Sequence, residues 1–123
     1  MKAAVYFHVP LDSRWEQSRE QELAKEFLES QPTLKLIRTY ADYGLSADSR
    51  SALLSLLQDA ENGAFQALVI KAPSVFSQKL PEILEIYNYL AEKKVQILFY
   101  SGKDYPMHYW ARQYARMCKD LAS

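Results

Sequence analysis

One cysteine, Cys118, stands in 123 residues, so no internal disulfide can form and no cysteine-built zinc cluster is available. Only three glycines are present, and neither G-x-G-x-x-G nor a Walker A sequence occurs, which argues against a loop that cradles phosphates. An excess of one charge is missing too. Lys+Arg and Asp+Glu each count 15, which excludes binding of nucleic acid by bulk charge alone. The longest apolar runs are four or five residues, far short of a membrane span. Residues 1–6 enter strand-like sequence at once, so no signal peptide is expected and a cytoplasmic location is the default. No pair of His, Cys or carboxylate residues has metal-ligand spacing, so no metal and no cofactor are expected. What is present is ordinary globular material: 49% of residues are apolar and 24% charged, enough for one domain with a real core. The nine tyrosines have no compositional explanation.

The apolar pattern alternates between short runs and helix-period stretches. Ala3-Ala4-Val5-Tyr6-Phe7 reads as a buried strand. Ser13-Arg14-Trp15-Glu16 has the form of a capping box, followed by Leu23, Ala24, Phe27 and Leu28 at helical spacing until Pro32. A second strand is predicted over 34–40, a turn over 42–46, and a helix over 49–62 that Gly63 ends as a C-terminal cap. A third strand is predicted over 65–71. A helix opening at Pro81, a strand over 95–100 and a last helix over about 106–122 complete the chain. This β-α-β-α-β-α-β-α order predicts an α/β fold in three layers. Its core, about residues 1–101, is a mostly parallel sheet of four to five strands with helices on both faces.

In open sheets of this kind ligands sit beyond the C-terminal strand ends. That rule selects three places: 8–10, 42–46 and 71–77. His8 is a candidate there, although a lone histidine at a strand end is more often structural. Asp42 fits an acid or a metal ligand, although Asp before Tyr-Gly is more often ordinary turn chemistry. Lys71 fits an anion contact or a solvated strand end. His108 has no partner in sequence, and Cys118 fits a packed thiol in an amphipathic helix. Arg112, Arg116 and Lys119, at spacings of four and three, would share one face of the last helix, near Tyr109, Trp110 and Tyr114. They make a candidate nucleic-acid contact, weak and salt-sensitive with three charges, against the plainer reading of a solvated face.

Read together, these segments resemble the N-terminal catalytic domain of the serine recombinases, the resolvase/invertase group, over about residues 3–101. Val5-Tyr6-Phe7-His8-Val9-Pro10 stands where that family has a strand ending in Tyr-x-Arg-Val-Ser. Tyr40-Ala41-Asp42-Tyr43-Gly44-Leu45-Ser46 is similar to its second strand and Asp-x-Gly/Ala-x-Ser turn. Arg50-Ser51-Ala52-Leu53 resembles its Arg-x-x-Leu helix start. The stretches 63–71 and 93–99 resemble its third and fourth strands. The resemblance implies a serine nucleophile that joins covalently to DNA, inside a shell of arginines. At the corresponding positions this chain has Pro10 for the serine, His8 for an arginine, and Pro73, Ser74 and Ser77 for Asp-Arg-x-x-Arg. Asp42, Ser46, Arg50 and Lys71 keep family-like character.

Proline has no hydroxyl and no N–H. Phosphoryl transfer builds negative charge that fixed cations must meet, and a single arginine can contribute about 10³ to 10⁵ in rate. The expectation is a catalytically inactive resolvase-like domain without a DNA-binding module, acting in protein interaction or regulation linked to recombination. Its partner would be a second copy or another recombinase-like protein, with DNA only weakly held and no membrane. Two alternatives stand beside it: a recombinase or DNA-binding protein that retains some activity, and a flavodoxin-like domain holding a small anion near His8, Asp42 and Lys71.

Overall fold

The computed structural model describes residues 1–9, 14–44, 50–101, 111 and 114–119. Four strands form one sheet in the order β2-β1-β3-β4, every pairing parallel. They are β1 (Lys2–Val9), β2 (Lys35–Tyr43), β3 (Ala67–Ile70) and β4 (Gln96–Phe99), joined through α1 (Arg14–Glu29), α2 (Ser51–Glu61) and α3 (Leu80–Glu92). A short 3-10 turn, Pro73–Val75, leads from β3 towards α3.

The chain steps outward from β1 to β2, then back across β1 to β3 and on to β4. Right-handed crossovers must therefore put α1 on one face and α2 with α3 on the other. The core divides accordingly. Ala4 and Tyr6 of β1 join Leu53 and Leu56 of α2 and Ile83, Leu84 and Leu90 of α3 in one cluster. Val5 and Phe7, pointing the opposite way as strand alternation demands, join Ala24 of α1, Val69 and Tyr100 in the other. All four residues of β3 are buried, because that strand has neighbours on both sides and helices on both faces.

Several boundaries differ from the sequence expectation. Asp42 and Tyr43, expected in a turn, are the last residues of β2 and pair with His8 and Val9. An eight-residue β1 offers pairing up to its end, and the turn begins only at Gly44, whose φ of +90° suits glycine. The third strand is shorter than predicted. Phe65 is buried but precedes it, and Lys71 follows it. On α1, Ala24, Phe27 and Leu28 pack on the sheet, whereas Leu23 is 39% exposed. Gly63 does follow α2 with φ +72°, its N–H donating to the Ala60 carbonyl at 3.1 Å. Ser13 of the expected capping box lies outside the described residues. Of the expected last helix, residues 111 and 114–119 are described and are helical.

Candidate functional site

With strand order 2-1-3-4, connections leave β1 and β3 in opposite directions, which opens a crevice beyond their C-terminal ends. His8 and Asp42 sit there as register partners across β1 and β2. Lys71, Pro73, Ser74 and Ser77 arrive from the segment after β3.

Asp42 is only 3% exposed, and its carboxylate is fully engaged. It accepts from the Tyr6 hydroxyl at 2.8 Å and from the backbone N–H groups of Ala52 and Leu53, both at 2.9 Å. Those two amides belong to the first turn of α2, where helix donors lack intrahelical partners and a negative charge meets the positive helix end. Asp42 thus caps α2 from a neighbouring strand. The Tyr6 hydroxyl is pushed well above the ordinary phenol range, chiefly by burial and then by its bond to Asp42. It remains a neutral donor.

Arg50 stands immediately before α2. Its Nη1 donates to the Val75 carbonyl at 2.6 Å and to the Tyr6 hydroxyl at 3.2 Å. The guanidinium thereby stitches α2 to the 3-10 turn after β3. His8 donates from Nε2 to the Gly44 carbonyl at 2.7 Å, an acceptor that requires the proton on that nitrogen. Ser77 is buried. Its hydroxyl donates to Glu82 at 2.6 Å and accepts from the Lys79 N–H at 3.0 Å, so it organises the entry to α3. Ser74 is exposed. A cavity of about 430 Å³ lies between these elements, with His8, Arg50, Ser77, Lys79, Glu82 and Glu85 among its walls. Two acids face its basic residues.

Lys71 belongs to a different cavity, on the α1 side, where its Nζ lies 3.1 Å from Glu20. The structure therefore brings His8, Arg50 and Ser77 to one cavity, separates Lys71 from Asp42, and leaves Pro10 and Ser46 outside the described residues. Arg116 and Lys119 are exposed on helical residues 114–119, and Arg112 lies outside the described residues. Among the described residues, no cluster of three or more His, Cys, Asp or Glu could hold a metal, and every buried side-chain nitrogen or oxygen has a partner. No described helix is long and apolar enough to cross a membrane.

Sequence reasoning did not single out Tyr6, Glu20, Glu82 or Tyr100. For Tyr6 a signal existed: it stands at the tyrosine of the Tyr-x-Arg-Val-Ser pattern. Glu20 and Glu82 look like any solvent-facing helical glutamates.

Comparison with known proteins bears on the family and the fold. The family described as resolvase, N-terminal domain, matches residues 4–123. No curated protein matches. The fold is similar to the N-terminal catalytic domain of TP901-1 integrase, with a TM-score of 0.74 and 16% identity over 99% of this chain and 97% of that one. A resolvase family site-specific recombinase from Streptococcus pneumoniae gives 0.73 and 17% over 99% and 90%. The C-terminal catalytic domain of ISC1926 TnpA, an IS607-like serine recombinase, gives 0.72 and 16% over 81% and 70%. At such identities the structural likeness speaks for the fold alone.

Proposed function

Because the chain belongs to the resolvase N-terminal domain family, we propose that it keeps the recombinase scaffold without strand-transfer chemistry and works through protein contacts. The observation that carries this reading is the commitment of Arg50 to the Val75 carbonyl and the Tyr6 hydroxyl, in a chain whose sequence has proline at position 10. Displacement at a phosphodiester needs a nucleophile and cations aimed at the developing charge. The arginine that remains donates to the protein's own Val75 carbonyl and Tyr6 hydroxyl, and three other polar groups at the strand ends are also engaged internally. Asp42 caps α2, Ser77 orders the α3 entry and Lys71 pairs with Glu20. The partner under this reading is a second copy or another recombinase-like protein.

The test is a covalent-trapping assay. The protein is incubated with labelled recombination-site and random duplexes, denatured, and resolved for adducts. No protein–DNA adduct is expected. A serine-linked adduct would overturn the proposal.

One observation favours a second reading, in which Ser77 replaces the missing nucleophile. Its hydroxyl has a carboxylate partner in Glu82 and shares a cavity with Arg50 and Lys79. Against it, Glu82 and Glu85 bring negative charge to a cavity that would have to accept a phosphodiester. Adduct formation lost in Ser77→Ala would establish this second reading.

A further inference from the structure

On the α1 face of the sheet, a cavity of about 320 Å³ opens at the ends of β1 and β3. Glu20 reaches into it from α1, and each oxygen of its carboxylate has its own donor. Oε1 lies 3.1 Å from Lys71 Nζ, just past β3, and Oε2 accepts a short hydrogen bond from the Tyr100 hydroxyl, just past β4. His8 and Arg19 form further wall. An ammonium and a phenol converging on two oxygens of one planar anion is how a protein holds an oxyanion. Both donors stand one residue past a strand end, whereas the acceptor comes from a helix side chain.

Two features make the donors suitable for an outside ligand. Tyr100 is only 8% exposed, and burial, followed by the neighbouring Glu20 charge, holds its hydroxyl protonated far above the usual phenol range. It is a fixed donor. The Lys71 side chain is 55% exposed, so this end of the cradle is open to solvent, and the Tyr100 hydroxyl lies behind the Glu20 carboxylate. The helix that carries Glu20 packs on the sheet through Ala24, Phe27 and Leu28, all C-terminal to it. Withdrawing the Glu20 carboxylate therefore leaves that packing untouched.

We infer that Lys71 and Tyr100 form an oxyanion cradle which Glu20 occupies from within, and that its external ligand is a small oxyanion, for which inorganic phosphate serves as the probe. The tethered carboxylate competes at the high effective concentration of an intramolecular group, so the unaltered chain binds such a ligand weakly. Glu16, on the same wall, keeps the closed state close to charge balance. Neither Pro10 nor Arg50 takes part, so the inference stands apart from the question of strand transfer.

The test compares the unaltered protein with Glu20→Ala, Glu20→Gln and Glu20→Ala/Lys71→Ala. Inorganic phosphate is titrated at constant ionic strength against chloride, by calorimetry and thermal melting. Expected are at least tenfold tighter phosphate binding in Glu20→Ala and a phosphate-specific rise in Tm of about 4 °C at saturation. Both should vanish in the double variant. Glu20→Gln still accepts from Tyr100 but leaves Lys71 unneutralised. It tests the same claim if Glu20→Ala folds poorly, and should also bind phosphate more tightly. A deoxynucleoside monophosphate should share the gain, while a short duplex should not. Three results would each overturn the assignment: no tightening in either single variant, tightening that survives loss of Lys71, or a gain confined to the duplex.

Discussion

Replacing Asp42 measures how much of this fold hangs on one carboxylate. Asp42→Ala removes the acceptor for the Tyr6 hydroxyl and for the Ala52 and Leu53 amides in one step. An ordinary helix cap is worth about 1 kcal/mol, and each buried donor left without a partner costs about 1–3 kcal/mol. Ala52 is half-buried, so water can repair its amide, but Leu53 is 6% exposed and Tyr6 fully enclosed. The expected loss is about 3–5 kcal/mol, a large part of the roughly 5–15 kcal/mol that holds a domain together. Asp42→Asn keeps one oxygen acceptor and should lose about 2 kcal/mol. Urea unfolding followed by circular dichroism reads this directly. With m near 2 kcal/mol/M, Asp42→Ala lowers the midpoint by about 1.5–2.5 M at unchanged m. Tyr6→Phe costs less, about 1 kcal/mol, and combined with Asp42→Ala it should be non-additive by a similar amount, because the two share a bond. An Asp42→Ala variant within about 1 kcal/mol of the parent would refute the reasoning. It would mean that the carboxylate holds neither α2 nor Tyr6.

Four further outcomes follow from the same geometry. Burial first, and then partner carboxylates, raise the phenols of Tyr6 and Tyr100 above their ordinary value and push Tyr40 up to about 12. A folded pKa above the unfolded value of about 10 gives stability that is intact below pH 10 and lost as pH rises towards 12. The urea midpoint should fall across that window, less steeply in Tyr100→Phe. Asp59 is shifted the other way, held low by the Tyr40 hydroxyl and, after opposing desolvation, by Arg38, so its contribution is present above about pH 4 and lost on further acidification. Asp59→Asn should flatten that acid limb in the same denaturation series. Gly63→Ala meets no atom within 4 Å but must adopt φ +72°, so differential scanning calorimetry should show a loss of about 1 kcal/mol from backbone strain alone. Ser77→Ala removes a bond to Glu82 and the acceptor for the Lys79 amide, and should cost about 1–2 kcal/mol by urea unfolding.

The parts of the fold that were readable in the sequence are those in which burial is symmetrical. β1 and β3 stand out as apolar runs because helices cover both of their faces, and α2 announces itself through Leu53, Leu56 and Gly63. β2 was read short. Its start is legible, but its last three residues include Asp42, whose local preference is for turns, so only the pairing with β1 reveals that the strand runs on to Tyr43. Lys94 adopts φ 62° after α3 without being glycine, and nothing in its neighbourhood in sequence signals that.

The candidate site shows why residue type at a strand end is ambiguous in principle. A carboxylate that binds a ligand and a carboxylate that caps the next helix sit in the same place, because the strand end faces the helix N-terminus in both cases. Asp42 resolves to the cap only when the Ala52 and Leu53 amides are seen to point at it. Lys71 is the counterpart with opposite sign. On its own it reads equally as an anion contact or as solvated charge. The anion that decides its state lies 51 residues earlier, on α1, and reaches it only because the first crossover lays that helix across the sheet. Glu20 carries no local mark of this role, since its spacing on α1 is that of an ordinary exposed glutamate. The chemistry at Lys71 is therefore written in the handedness of a crossover rather than in any motif, and exchanging the Glu20 charge is the perturbation that reads it.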